Sequence, residues 1–179
     1  MRVIPTALPD VRIVEPRVFR DARGWFFESW NRRTLAAAGL DVDFVQDNHS
    51  RSSRGVLRGL HYQIHHAQGK LVRVIAGEVY DVAVDLRRAS PTFGRHVAVT
   101  LSADNARMLW VPPGFAHGFC VTSDSADFLY KTTDYWHAEH ERTLLWNDPA
   151  LGIAWPVHEP VIAAKDAAGT LLARAETYE

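Results

Sequence analysis

The densest chemistry in the chain lies between residues 55 and 73. Gly55-Val56-Leu57-Arg58-Gly59-Leu60-His61-Tyr62-Gln63 places a guanidinium, an imidazole and two glycines within one short stretch. Lys70 follows, opening Leu71-Val72-Arg73-Val74. An Arg and a Lys on adjacent strands can hold a phosphate or diphosphate, the one through its planar fork and the other as a point charge. A histidine beside them is the residue type suited to general-base work near neutral pH. Strict alternation sets Leu57, Gly59, His61 and Gln63 on one face of a strand and Arg58, Leu60 and Tyr62 on the other. A bulge at Gly59 brings Arg58 and His61 to the same side. Taken singly, either cation reads as a solvated guard of a strand end. Base and cations together at a barrel mouth are the more specific pattern.

Two further stretches point the same way. Phe19-Arg20-Asp21-Ala22-Arg23-Gly24-Trp25-Phe26-Phe27-Glu28 joins a tight turn to aromatics, an Arg and an acid. Aromatic faces stack on a base or sugar, and Glu28 with the amide of Gln46 can read the polar edge of a nucleobase. A β-hairpin with core aromatics is the plainer reading of the same residues. Phe128-Leu129-Tyr130-Lys131 lies on a late strand whose alternation can send Tyr130 inward. A phenol is a suitable acid for returning a proton to a carbanion, although spacing alone makes Tyr130 a core residue as readily as a catalyst.

The chain carries nine histidines, which raises the question of a metal. Pro112-Pro113-Gly114-Phe115-Ala116-His117 has the P-x-G-x-x-H form found in double-stranded β-helix (cupin) barrels, where the turn aims the histidine inward. The companion cupin motif needs H-x-H and a carboxylate a few residues later. Here His61-Tyr62-Gln63 is followed by His65, His66 and Gln68. A neutral amide is a weak ligand and no acid completes the set, so no metal is expected there. His65, His66, His137, His140 and His158 fall in polar or turn-like stretches and read as surface residues.

The elements that must position these groups are strands. In Glu78–Asp85 and on through Arg87, Tyr80, Val82, Val84 and Leu86 point one way, and Val79, Asp81, Ala83 and Asp85 the other. Similar stretches cover residues 11–19, 25–30, 42–47, 55–64, 70–76, 96–101, 107–111, 115–122 and 127–134. Glycine and proline punctuate them, as at Ala76-Gly77-Glu78 and Ser90-Pro91-Thr92. Helix is scarce: Asn31 caps and Gly39 stops one short helix, and 164–175 holds another turn or two. The expectation is one all-β domain over residues 1–179, a sandwich or barrel with a few short helices.

Composition narrows the function. The 179 residues are 47% hydrophobic and 23% charged, a globular mix. Lys plus Arg is 20 and Asp plus Glu is 21, a net charge of −1, which argues against a general nucleic-acid binder or a membrane-surface protein. Any bound anion must be held by a local cluster of cations. The single cysteine, Cys120, excludes an internal disulfide framework and a cysteine-only zinc site. No apolar run has the length of a membrane span, and Met1-Arg2-Val3-Ile4-Pro5 lacks the apolar core of a secretory signal, so a cytoplasmic enzyme or binding protein is expected.

These residues resemble the dTDP-4-dehydrorhamnose 3,5-epimerases of deoxysugar biosynthesis. The similarity runs in order through FRDARGWFFESW (19–30), FVQDNHSRSSRGVLRGLHYQ (44–63), HAQGKLVRVIAGEVYDVAVDLRRASPTFG (66–94), LWVPPGFAHGF (109–119), DFLYKTTDYW (127–136), WNDPALGIAWP (146–156) and AAKD (163–166). It implies a cupin-type double-stranded β-helix, or jelly-roll barrel, that uses no metal and no cofactor. It implies a homodimer with N-terminal strands exchanged or packed across the interface, and a dTDP-linked 4-keto-6-deoxyhexose as substrate. By position, His61 corresponds to the base, Asp166 to the carboxylate that orients it, Tyr130 to the acid on the opposite face of the sugar, and Lys70 to the group that stabilises the enolate. Arg58 and His117 correspond to substrate contacts. Arg23, Glu28, Gln46, Asp47 and Asn48 resemble the nucleotide-binding set, completed across the dimer, and Glu141 and Lys165 match further ligand positions. Trp136 is a departure, standing where the family more often has tyrosine. That difference bears on nucleotide preference or on the extent of epimerisation.

The alternatives are a mono-epimerase acting at C3 or C5 alone, a metal-dependent cupin enzyme, and a non-catalytic sugar-nucleotide binding protein. The metal enzyme lacks its H-x-H and acid, and the binding protein would be expected to have lost His61 or Tyr130.

Overall fold

Alternation along the chain becomes two faces of one strand in β8 (Glu78–Asp85). Val79 and Ala83 enter one buried cluster, while Val82 and Val84 enter another on the opposite face, joined by Leu86 and Tyr80. In this computed structural model, which describes residues 1–179, the pattern repeats across two packed sheets. The first sheet is built from β1 (Arg2–Pro5), β2 (Arg12–Glu15), β5 (Gln46–Ser53), β7 (Lys70–Ala76), β10 (Met108–Val111) and β12 (Ser125–Thr132), in the order β1-β2-β10-β7-β12-β5. The second contains β6 (Val56–Gln63), β8, β9 (His96–Ser102), β11 (Phe115–Val121) and β13 (Glu141–Thr143), in the order β13-β6-β11-β8-β9. A short β14 (Val161–Ile162) adds to β6 in parallel. Phe19–Asp21 (β3) and Gly24–Phe26 (β4) form a separate hairpin. The two large sheets make the expected cupin-type β-sandwich.

Three clusters hold the layers. Val72, Val74, Val79, Ala83, Leu109, Phe115, Phe119 and Phe128 lie among the buried residues between the sheets. The outer face of the second sheet is covered by the C-terminal segment through Leu144, Leu151 and Ala175. The outer face of the first is covered through Leu35 and Leu40. Leu35 belongs to α1 (Arg32–Ala37), whose Asn31 cap accepts a hydrogen bond from the Thr34 N–H as the capping pattern predicts, and Gly39 ends it at φ +85°.

The structure corrects several boundaries. The strand expected over 11–19 is broken into β2 and β3, the break beginning at Pro16, which has no N–H to donate to a ladder. The segment expected over 25–30 is regular only as far as Phe26. Residues 42–45 are irregular, and pairing starts at Gln46 in a strand of sequence QDNHSRSS. That strand, and β1, escape a search for apolar alternation. No helix is long and apolar enough to cross a membrane.

Candidate active site

The interior faces of the sandwich turn polar at one end. Along β7 the inward series is Lys70, Val72, Val74, and along β12 it is Ala126, Phe128, Tyr130. Their register sets Tyr130 against Val72 and Thr132 against Lys70, so the polar residues share an end. β5 beside them contributes Gln46, Asn48, Ser50 and Ser52 on its more buried face. The resulting cleft, about 800 Å³ including space open to solvent, is lined by Arg58, His61, Lys70, His117, Tyr130 and Glu141 among others. Phe119 and Phe128, stacked with centroids 4.1 Å apart, lie at its base.

The bulge expected in β6 is present. His117 pairs with His61 and Phe119 with Arg58, so one residue of β11, Gly118, stands against two of β6, Gly59 and Leu60. Glycines permit it. A Cβ on Gly59 (φ +129°) would meet Gly118 Cα at 2.6 Å, and one on Gly118 would meet the Arg58 carbonyl oxygen at 2.6 Å. Both distances are closer than atoms tolerate, so β6 and β11 approach only because neither residue has a side chain. The extra residue turns Arg58 and His61 into the same cleft, where the Arg58 Nε–H donates to Ser52 Oγ at 3.0 Å.

His61 faces a carboxylate 105 residues later in sequence. β14 runs parallel to β6, with Val161 beside Val56 and Ile162 beside Leu57, and leads directly into α2 (Ala164–Ala167). This places Asp166 Oδ1 2.7 Å from His61 Nε2, while the Gly59 N–H donates to Asp166 Oδ2 at 3.1 Å. Asp166 is only 2% exposed. Burial raises its pKa, but the hydrogen bond from His61 and the charge that ring carries when protonated, with the Gly59 N–H and the charge of Lys165, together outweigh burial, and the carboxyl lies below its ordinary value. An ionised carboxylate only accepts, so His61 Nε2 carries the hydrogen and the lone pair of the neutral ring is on Nδ1. This is the orienting arrangement of a base and its carboxylate.

A second pair lies deeper. His117 Nε2 donates to both oxygens of Asp81, at 2.9 and 3.0 Å, with both residues buried. Sequence reading set Asp81 on one strand face with Val79 and Ala83, a face the structure turns inward, but gave it no role. The signal was there: an aspartate in an apolar strand, on the face that enters the core, needs a partner. Ser52 and Ser50 were missed with the polar strand that carries them.

Lys70 makes no ion pair. Burial lowers its ammonium to about 8, against the opposing charges of Glu141 and Asp81. Tyr130 is raised above its ordinary value, by burial first and by Glu141 next, with Arg58 opposing, so its phenol is protonated at neutral pH. Glu141 and Lys165 pair at 3.0 Å beside the cleft. Thus His61, Tyr130, Lys70, Arg58, His117, Asn48, Glu141 and Lys165 converge on one cleft, with Asp166 behind His61.

Three expected ligands do not. Asp47 points to the other face of its strand, pairs with Lys131 at 2.9 Å and lines a neighbouring cleft with Ser29, Arg73, Asn48 and Tyr130. Arg23 is bound to Asp21 on the exposed hairpin, and Glu28 accepts from Asn31. Gln46 lies between these groups: its amide donates to Asn48 and accepts from the Trp136 N–H. Trp136 is 55% exposed.

The cupin metal set is broken at Gln63. His61 is bound to Asp166, His117 to Asp81, and the Gln63 amide is used entirely by main chain. It donates to the carbonyls of His66 and Tyr135 and accepts from the His137 N–H. Both amide atoms of Gln63 are thus held by main chain, and a neutral amide is a weak ligand to begin with.

Residues 5–174 match a family model described as dTDP-4-dehydrorhamnose 3,5-epimerase. The chain is 60% identical to the dTDP-4-dehydrorhamnose 3,5-epimerase of Pseudomonas aeruginosa over 180 residues, covering 99% of each. It is similar to the crystal structure of a dTDP-6-deoxy-D-glucose-3,5-epimerase from Legionella pneumophila in complex with dTDP-4-keto-L-rhamnose. The TM-score is 0.93 at 52% identity, over 98% of this chain and 94% of that one. A 3'-monoepimerase from Streptomyces bikiniensis, in complex with dTDP-quinovose, is more distant. It has a TM-score of 0.88 at 32% identity, over 95% of this chain and 87% of that one.

Proposed function

Because the chain belongs to the dTDP-4-dehydrorhamnose 3,5-epimerase family, we propose that His61, Tyr130, Lys70 and Asp166 carry its reaction. It is an isomerase that inverts C3 and C5 of dTDP-4-keto-6-deoxy-D-glucose and gives dTDP-4-keto-L-rhamnose. The observation that carries the residue assignment is that His61 stands on β6 of one sheet and Tyr130 on β12 of the other, with both lining one cleft. A base and an acid on facing walls meet opposite faces of a sugar held between them.

The steps follow from the ketone at C4. Removing the proton from C3 or C5 leaves an enolate, so the electron pair of the broken C–H bond ends on the C4 oxygen. His61 takes that proton, with Asp166 holding the ring tautomer and stabilising the imidazolium that forms. The Lys70 ammonium stabilises the developing oxyanion in a cleft partly closed to water. Tyr130 then delivers its proton to the other face of the carbon, and the configuration inverts. The tyrosinate regains a proton and His61 loses one, so no electron leaves the sugar and no redox cofactor enters. Arg58, His117, Glu141 and Lys165 contact the substrate, and Gln46 and Asn48 begin the nucleotide end of the site.

Arg23, Glu28 and Asp47 join the nucleotide site in a homodimer, with the N-terminal strands packed across the interface of a domain spanning 1–179. What supports this is the β3–β4 hairpin. Phe19, Trp25 and Phe26 are half or more exposed there, beside Arg23, an apolar patch of the kind a partner chain covers. A cytoplasmic location fits a sugar-nucleotide substrate and a chain whose one cysteine is free.

Proton NMR of the enzyme with dTDP-4-keto-6-deoxyglucose in heavy water tests the reading. Deuterium at both C3 and C5 is expected; uptake at one carbon identifies a mono-epimerase, and uptake at neither in a protein that binds dTDP discards this substrate.

Lys70 adds a pH dependence. The protonated form stabilises the enolate, and the ammonium titrates at about 8, so kcat/KM falls as pH rises through that value. Lys70→Arg remains charged and moves the fall toward higher pH, whatever rate it retains. The measurement is kcat/KM between about pH 7 and about pH 10 for both proteins. An alkaline limb unchanged by the substitution removes Lys70 from this role.

A further inference from the structure

The histidines that read as surface residues are gathered by the fold. His66 and Asp134 lie 68 residues apart in sequence, yet His66 Nδ1 and Asp134 Oδ2 stand 3.3 Å apart. His137 completes a group whose three ligand atoms all lie within 4.8 Å of one another. The ring of His66 stacks on that of His137 with centroids 4.4 Å apart, and the His140 ring lies 5.6 Å from His66 and 6.0 Å from His137. His65 packs edge-on against His140.

We propose that His66, Asp134 and His137, with His140 as the neighbouring fourth donor, form a site for a borderline divalent metal ion, zinc above all. Two imidazoles and a carboxylate are the donor set that such ions take from proteins. The geometry suits it. A tetrahedral ion with bonds of about 2.0–2.1 Å separates its ligands by about 3.3–3.4 Å. The His66–Asp134 pair already has that spacing, and small rotations of exposed rings bring His137 to it.

The ligands are also braced from behind, as metal ligands are. Gln63, buried in β6, donates to the His66 carbonyl and accepts from the His137 N–H, both at 2.7 Å. Asp134 Oδ1 accepts the Tyr135 N–H at 2.8 Å, which leaves Oδ2 for His66 and for an ion. The side chains of His66, Asp134 and His137 are 52%, 38% and 32% exposed, so solvent reaches the site.

An ion here ties the 64–69 segment to the 133–140 segment, which carries Trp136 and its bond to Gln46. It acts as a structural clip at the border of the cleft and uses none of the residues assigned to the reaction. The proposal therefore stands or falls separately from the catalytic reading.

The test uses the untagged full chain, stripped with chelator and titrated with zinc in competition with a chromophoric zinc indicator. One ion per chain is expected, with Kd below about 10 μM. His66→Ala and His137→Ala each weaken binding tenfold or more, and the double variant abolishes it. His158→Ala, an exposed histidine away from the group, binds as the parent does. Zinc raises the thermal midpoint of the parent and leaves that of the double variant unchanged. His137→Gln, which preserves a polar side chain of similar reach, repeats the loss if the double variant folds poorly. Affinity weaker than about 10 μM, or binding undiminished in a folded His66 or His137 variant, overturns the proposal.

Discussion

His61→Ala abolishes deuterium uptake at both C3 and C5 of dTDP-4-keto-6-deoxyglucose, while dTDP binding persists. A positioned general base contributes about 10²–10⁴-fold, and here the substituted group is also the first to act, so kcat falls by at least about 10³. Both carbons lose exchange together because one base serves both. The substitution spares the fold: His61 is one-quarter exposed, and its loss removes a hydrogen bond to Asp166 without opening the core. Asp166 keeps the Gly59 N–H and the nearby Lys165 charge. The measurement is proton NMR in heavy water, paired with calorimetric titration of dTDP. Full activity in His61→Ala would remove the base assignment. Loss of exchange together with loss of dTDP binding would instead show damage to the cleft as a whole.

Tyr130→Phe separates the two halves of the reaction. Proton removal by His61 continues, so deuterium still enters the substrate from the face that lost its proton. Inversion falls by about 10²–10³, since the enolate can be reprotonated only from the His61 side or from stray water. The ring remains and only the hydroxyl is lost, so packing beside Phe128, 6.2 Å away by centroid, is preserved. The ratio of exchange to inversion therefore rises steeply, read from the NMR spectra of recovered substrate and product. If exchange and inversion fall in equal proportion, Tyr130 acts before or during proton removal and is not the acid of the second half.

Much of the site was legible because its members sit in patterned strands. The Arg58-Gly59-Leu60-His61 stretch announces its bulge through a glycine in a run that otherwise alternates, and β6 forms that bulge. β7 falls on the predicted residues, and β8 shows the predicted division of faces. The polar β5 was not legible in this way. Its eight residues contain no apolar side chain, because its inward face lines a cleft that must hold a charged, hydroxylated ligand rather than a core. Function overrides the pattern by which strands are found. The same is true of Gly118, whose place opposite Gly59 is a fact of register between strands far apart in sequence.

What the sequence determined by itself was the kind of chemistry and the elements that bear it: an imidazole, a phenol and cations on strands of period two, with no surplus of charge and no cysteine framework. Family resemblance supplied the pairing of Asp166 with His61; no local pattern yields it across 105 residues. Tertiary structure alone decided that Asp81 holds His117, that Asp47 turns to the other face of its sheet, and that His66, Asp134, His137 and His140 form one group. The reason is physical. Side-chain direction within a strand follows from local backbone geometry, so residues a few positions apart can be sorted by eye. Which strand lies beside which, and in what register, is set by burial summed over the whole chain, and every contact between distant residues waits on that sum.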